Sequence, residues 1–215
     1  AQFGIARILY EQEKYEKAFE TFQYLVDYFA GRFKYNEVID YQFRIANQMV
    51  GNRWGDVLFL PGFKAPERAL PMLSKVIANA PNLDKAASAR LSIGMIQEET
   101  KSFEEAIATY DAVGQYHKGS AEAEKAAFRR VACLYILSDK APRDEKRCRA
   151  ALSATATFLA RHKQSVEKEQ AETYLATLKL RLEAMYYDRA QFYDEIAKRP
   201  ASALIAYRDF LKKFP

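Results

Sequence analysis

Bulky apolar positions recur along this chain at helical intervals, each set anchored on a small residue. The sets read Ala18–Phe22–Leu25, Ala69–Leu73–Val76, Ala106–Tyr110–Val113, Ala151–Thr155–Phe158 and Ala203–Tyr207–Phe210. Residues four and seven apart share one helical face, so each set predicts a helix buried along one stripe. Pro81 and Pro215 close two of the sets, where proline stops a helix. A second small residue stands twelve positions before two of the alanines: Ala6 before Ala18 and Gly94 before Ala106. Small side chains at both places let paired helices approach closely. The pattern predicts helices over 2–12 and 15–30, then 35–50 and 66–79. It continues with 83–100 and 103–116, then 121–138 and 144–162, with Gly31 as a stop after the first pair. A stretch from Glu167 to Arg199 lacks Gly and Pro and carries Tyr174, Leu175, Leu178, Leu182, Met185, Tyr186 and Ala190 at helical spacing. It predicts one helix of about 30 residues, ~45 Å long, with an alternative break near Tyr187-Asp188.

The small–bulky–bulky–proline frame resembles the second helix of a tetratricopeptide (TPR) repeat. The expected fold is all-α: a right-handed superhelix of about five TPR hairpins in a single domain over residues 1–215. The repeats would run about 2–30, 34–80, 83–117, 120–163 and 166–215, with the long helix around 167–198. The marker alanines are spaced unevenly, because a segment is inserted in the second repeat. Residues 51–66 hold three glycines, two prolines and the only tryptophan. This loop is apolar, with Trp54, Val57, Leu58, Phe59, Leu60 and Phe63. Such a loop either folds back onto the core or docks a partner. Trp54, Leu58, Phe59, Leu60 and Phe63 are the docking candidates.

Composition supports the helical reading and narrows the chemistry. Gly and Pro number 8 and 7 in 215 residues, too few for a turn-rich fold. No apolar run is long enough to span a membrane. The net charge is +5, but the 33 basic and 28 acidic residues are interleaved, which suits a solvated surface better than a nucleic-acid stripe. The densest basic cluster, Lys140, Arg143, Lys146, Arg147 and Arg149, is diluted by Asp139, Asp144 and Glu145. Cys133 and Cys148 read as small buried hydrophobes. His117 and His162 stand near helix ends, where a cation suits the helix dipole. Metal-protease, redox, phosphate-loop and nucleophile-elbow motifs are missing. The expectation is a non-enzymatic protein with no cofactor and no metal. The chain opens at Ala1 inside a helix, so a trimmed or processed N-terminus is expected.

The last fifty residues carry a more particular likeness. Arg181-Leu182, the pair Tyr186-Tyr187, then Asp188-Arg189-Ala190, Phe192-Tyr193, Arg199 and the helix from Ala203 to Pro215 resemble the C-terminal part of the BamD (YfiO) family. The early insertion fits the same layout. The likeness in motif covers about residues 178–215, and in layout most of the chain. It implies a lipid-anchored periplasmic TPR scaffold of outer-membrane β-barrel assembly. Implied partners are a BamA-like barrel subunit at the C-terminal repeats and unfolded outer-membrane protein segments in an N-terminal concave groove. Membrane association would run only through an N-terminal lipid anchor absent from this chain. Arg181 matches the family's Arg-Leu step and would be a partner contact, with Tyr187, Tyr193 and Arg199 beside it. The groove candidates are Arg7, Tyr10 and Tyr35, within a run of aromatics from Tyr24 to Phe43. The turn at Lys198-Arg199-Pro200 departs from the family's spacing. Alternatives are another periplasmic TPR scaffold, YbgF-like and Tol–Pal associated, or a generic TPR adaptor that clamps acidic peptides. Glu98 and Glu99 beside Leu91 and Met95 argue against the clamp.

Overall fold

The computed structural model describes residues 1–51, 53–54 and 63–214. Ten α-helices fall among them: α1 (Gln2–Glu11), α2 (Tyr15–Tyr28), α3 (Tyr35–Gly51), α4 (Leu70–Asn79), α5 (Asp84–Glu99), α6 (Phe103–Tyr116), α7 (Ala121–Lys140), α8 (Glu145–Arg161), α9 (Lys168–Gln191) and α10 (Pro200–Lys213). A 3₁₀ turn, Pro66–Ala69, leads into α4. The all-α expectation holds, and the hairpin pairs fall where the small–bulky frame puts them. The inserted segment departs from a plain loop. It is pinched by a two-residue antiparallel ladder, β1 (Arg53–Trp54) with β2 (Phe63–Lys64), which sets Trp54 opposite Phe63 in register. Leu58, Phe59, Leu60 and the closing Pro215 lie outside the described residues.

The chain forms two compact units, Ala1–Ala126 and Ala127–Pro215, with the boundary inside α7. In the first unit each helix packs on the next from α1 to α6. All the marker alanines of this unit are buried, and so are their partners: Phe22, Leu25, Leu73, Val76, Tyr110 and Val113. The second small positions are buried too. A Cβ on Gly94 would stand only 2.3 Å from the Tyr110 ring, so α5 and α6 touch where a hydrogen replaces a side chain. Gly31 takes φ +82°, the left-handed conformation that ends the first hairpin at little steric cost.

In the second unit α9 packs on α8 and α10 packs on α9. Cys148, Ala151, Leu178, Leu182 and Tyr186 form one buried cluster, and Val131, Phe158 and Ala171 form another. The long helix does not break at Tyr187-Asp188. It runs unbroken to Gln191 and then widens into a π turn, Phe192–Ile196. Ala197 N–H bonds Phe192 O at 2.8 Å, and Arg199 N–H reaches back to Tyr193 O at 2.8 Å. Lys198 between them is left-handed, at φ 51°. Pro200 then starts α10 at a position that needs no N–H.

Candidate protein-binding surfaces

In the first unit the groove candidates divide. Arg7 is exposed and pairs with Glu11 on its own helix at 3.5 Å, which leaves it a surface charge. Tyr10 is half-buried, edge-on to Tyr15 and Tyr41 at ring separations of 5.8 and 5.3 Å. Tyr35 is half-buried and donates its hydroxyl to Asn79 O at 2.6 Å; burial raises its pKa. Both tyrosines are structural in the free chain. The exposed aromatics are instead Tyr24 and Tyr28, 45% and 70% exposed, with rings 4.7 Å apart on one face of α2. Beneath lies an amide network that sequence reading missed. Fully buried Gln42 donates to Gln23 Oε1 at 2.9 Å, and Asn79 Nδ2 donates to both Gln23 and Gln42, at 2.8 and 3.0 Å. It ties α2, α3 and α4, whose members stand 19 to 56 positions apart in the chain. No local signal marks it.

At the end of α6 the dipole reading of His117 is overturned. Arg90 of α5 lies 2.6 Å from His117 Nε2 and stacks on Tyr116, with the guanidinium 5.0 Å from the ring centre. A guanidinium only donates, so the imidazole nitrogen accepts and the ring stays neutral. Burial lowers the His117 pKa below its ordinary 6.5, and the Arg90 charge lowers it further, against the opposing pull of Glu122 and Asp84. His162 stands at the end of α8, stacked on Phe158 at 5.0 Å.

In the second unit a charged cluster fastens α8, α9 and α10. The nearly buried Tyr186 donates its hydroxyl to Glu145 Oε1 at 2.7 Å. The same oxygen of Tyr186 accepts from Arg149 at 2.5 Å and from Lys213 at 2.8 Å. Arg189 closes on Glu145 Oε2 at 2.6 Å. These three donors hold the Glu145 carboxyl at about 2, with the Tyr186 bond the largest cause, then Arg149 and Arg189. All three cations also approach the Tyr186 ring, at 5.6, 4.8 and 4.3 Å. Two residues of the basic cluster noted in the sequence are thus held by partners within the chain: Arg149 on Glu145, and Arg147 on the capping Asp144 at 3.5 Å.

Arg181 is also engaged inside the chain. Its guanidinium donates to Ser138 Oγ at 3.1 Å and to Asp139 at 2.7 Å, lies over Tyr135, and is only 17% exposed. Tyr187 is 43% exposed, edge-on to Tyr207 and Phe210. Tyr193 is half-buried in the π turn against Phe192, and Arg199 is exposed at the start of α10. Beside the π turn lies a cleft of about 520 Å³, with Met185, Phe192 and Ile196 as its apolar lining and Arg143, Asp188 and Glu195 among its charges. Cys133 and Cys148 are both buried and not disulfide-bonded, and Cys148 Sγ points at Leu178 O, 3.5 Å away.

Among the described residues, no group of three or more His, Cys, Asp or Glu could hold a metal ion, and no helix is long and apolar enough to cross a membrane. What the structure offers is surface: exposed aromatics on α2, and exposed apolar and basic side chains from α9 through α10.

Stacked helix hairpins with buried small residues at both contact positions define a TPR-type array. Residues 1–31 match the tetratricopeptide repeat family model. No curated protein sequence matches the chain. Among solved structures, the chain is similar to a kinesin light chain protein of nearly identical TPR-like repeats from Podosopora anserina. There the identity is 12% over 99% of this chain and 94% of that one, with a TM-score of 0.40. A second is the yeast histone chaperone Hif1, described as a scaffold protein recruiting protein complexes to core histones. It is 16% identical over 86% of this chain and 93% of that one, with a TM-score of 0.35.

Proposed function

We propose that this chain is a non-enzymatic protein-binding scaffold of the BamD type, acting in outer-membrane β-barrel assembly. In this reading it sits in the periplasm, held at the outer membrane by an N-terminal lipid anchor. Its C-terminal unit docks a BamA-like barrel subunit. Its N-terminal unit receives extended segments of unfolded outer-membrane proteins. Stacked hairpins suit both tasks, because they present long surfaces on which several weak contacts add.

The observation that carries the reading is the state of residues 178–215, the segment with the family likeness. It leaves Tyr187 and Arg199 exposed, at the end of α9 and the start of α10, with half-buried Tyr193 in the π turn between them in the chain. Within that set the contact role passes from Arg181 to Arg199. Arg181 already holds Ser138 and Asp139, so a partner carboxylate would have to compete with a bond in place. Arg199 is exposed, at the N-terminal end of α10. For the first unit, Tyr24 and Tyr28 take over from Tyr10 and Tyr35 as flat surfaces for an extended peptide.

The test is titration of the purified chain against the periplasmic domain of the barrel subunit from the same genome. Arg199→Glu should weaken binding about tenfold or more, and Tyr187→Ala should weaken it also. Wild-type affinity in both variants, or no binding by the unaltered chain, would remove the reading.

A further inference from the structure

The last helix is amphipathic twice over. One stripe of α10 is spent: Ala203, Phe210 and Phe214 face α9, with Ala203 only 4% exposed. A second stripe is open. Leu204 and Leu211 are 51% and 64% exposed, and half-buried Tyr207 stands between them. Leu204, Tyr207 and Leu211 follow the three-then-four spacing of a helix–helix seam. The seam has two different banks. On one side lie α9, whose Tyr187 packs edge-on against Tyr207 at 6.3 Å, and the π turn, whose Asp194 accepts from the Tyr207 hydroxyl at 3.4 Å and is thereby engaged within the chain. On the other side stand Arg208 and Lys212, both exposed, and beyond them Ile205, 69% exposed. Among the described residues neither cation is paired with a carboxylate. The single carboxylate on α10, Asp209, is held by Lys213 at 3.2 Å on the side toward Tyr186.

We propose that this seam docks an acidic amphipathic α-helix from another protein. The inference deepens the scaffold reading and rests on it, by naming the chemistry of one partner. The spacing suits a helix running along α10, because residues three and then four apart form the seam on which two packed helices interdigitate. The open bank selects its charge. A leucine seam laid between Leu204 and Leu211 brings its flanking residues against Arg208 and Lys212, where carboxylates are attracted and cations repelled. The same rule disfavours a second copy of α10 as occupant, since its own Arg208 and Lys212 would come against their counterparts.

The test uses the whole chain and two fluorescein-labelled designed peptides of roughly 18 residues sharing one leucine seam, one flanked by Glu and the other by Lys. Fluorescence anisotropy should show the Glu peptide binding about tenfold tighter or more. Leu204→Ser and Leu211→Ser should each weaken it several-fold. Arg208→Glu with Lys212→Glu should invert the preference, so that the Lys peptide binds better. All four substitutions sit on exposed positions, and an unchanged circular dichroism melt confirms that each variant folds. Equal binding of both peptides, or no inversion in the double variant, overturns the proposal. Self-association that Leu204→Ser dissolves would give the face to a second copy and also overturn it. So would binding to phosphatidylglycerol–phosphatidylcholine vesicles that the same variants abolish while neither peptide binds. Loss of barrel-subunit binding through Arg199→Glu alone leaves this result untouched, so the two readings fail separately.

Discussion

Gly94 gives the sharpest test of how the hairpins nest. It lies in the middle of α5, where glycine ordinarily costs about 1 kcal/mol relative to alanine. Gly94→Ala would therefore stabilise an isolated helix. In this fold the added methyl carbon meets Tyr110 Cε1 at 2.3 Å, Cζ at 2.7 Å and Cδ1 at 2.8 Å. Tyr110 is 1% exposed, so its ring has no free direction in which to yield. Overpacking of this kind costs roughly 1–3 kcal/mol or more and exceeds the helix-propensity gain. The net expectation is a loss of about 1–2 kcal/mol, or a melting point roughly 2–8 °C lower for a chain of this size. The sign should reverse in a Tyr110→Leu background, where the ring is gone and Gly94→Ala adds up to about 1 kcal/mol of stability. Thermal and urea denaturation followed by far-ultraviolet circular dichroism measure all four proteins of the cycle. A stabilising Gly94→Ala in the parent chain would refute the close approach of α5 and α6.

Three further outcomes follow from the charged clusters. The Glu145 carboxyl has a folded pKa of about 2, below its ordinary 4.5, so it stabilises the fold above pH 4.5 and loses that contribution as pH falls toward 2. The drop corresponds to roughly 3 kcal/mol, which screening at a side chain 29% exposed reduces to about 1–2. Glu145→Gln should flatten acid unfolding in that window. His117 resists protonation in the fold, so the unfolded chain binds the extra proton and stability falls as pH drops through 6.5. Arg90→Gln should shrink this dependence without abolishing it, because burial is the larger cause, and melting curves across that range read the difference. Arg181→Glu sets a carboxylate beside Asp139 and removes the bond to Ser138, and should lower stability by about 1–2 kcal/mol while helicity persists. A melt identical to wild type would show that Arg181 is not held as described.

Helix positions were legible because the signal is local. A small residue, two bulky ones on the same face and a breaker are read within about twelve positions, and α2, α4, α6 and α8 sit where that frame puts them. The buried state of Ala18, Ala69, Ala106 and Ala151 follows from the same frame. The π turn was not legible, since Phe192–Ile196 has ordinary helical composition. Nor was the fate of the site residues. Arg181 meets Asp139 across 42 positions, and Tyr186 meets Glu145 across 41. Whether a surface-looking charge is free or spent depends on such distant neighbours. For the same reason His117 looked like a helix-end cation until Arg90, 27 positions earlier, was seen beside it.

The claim that the second unit is a partner-binding surface is tested most directly by photo-crosslinking from this chain. A photoreactive residue replacing Tyr187 or Arg199 should trap the barrel subunit's periplasmic domain, whereas the same residue at Lys146, exposed on α8, should not. Equal trapping from all three positions, or none from Tyr187 and Arg199, would contradict the account.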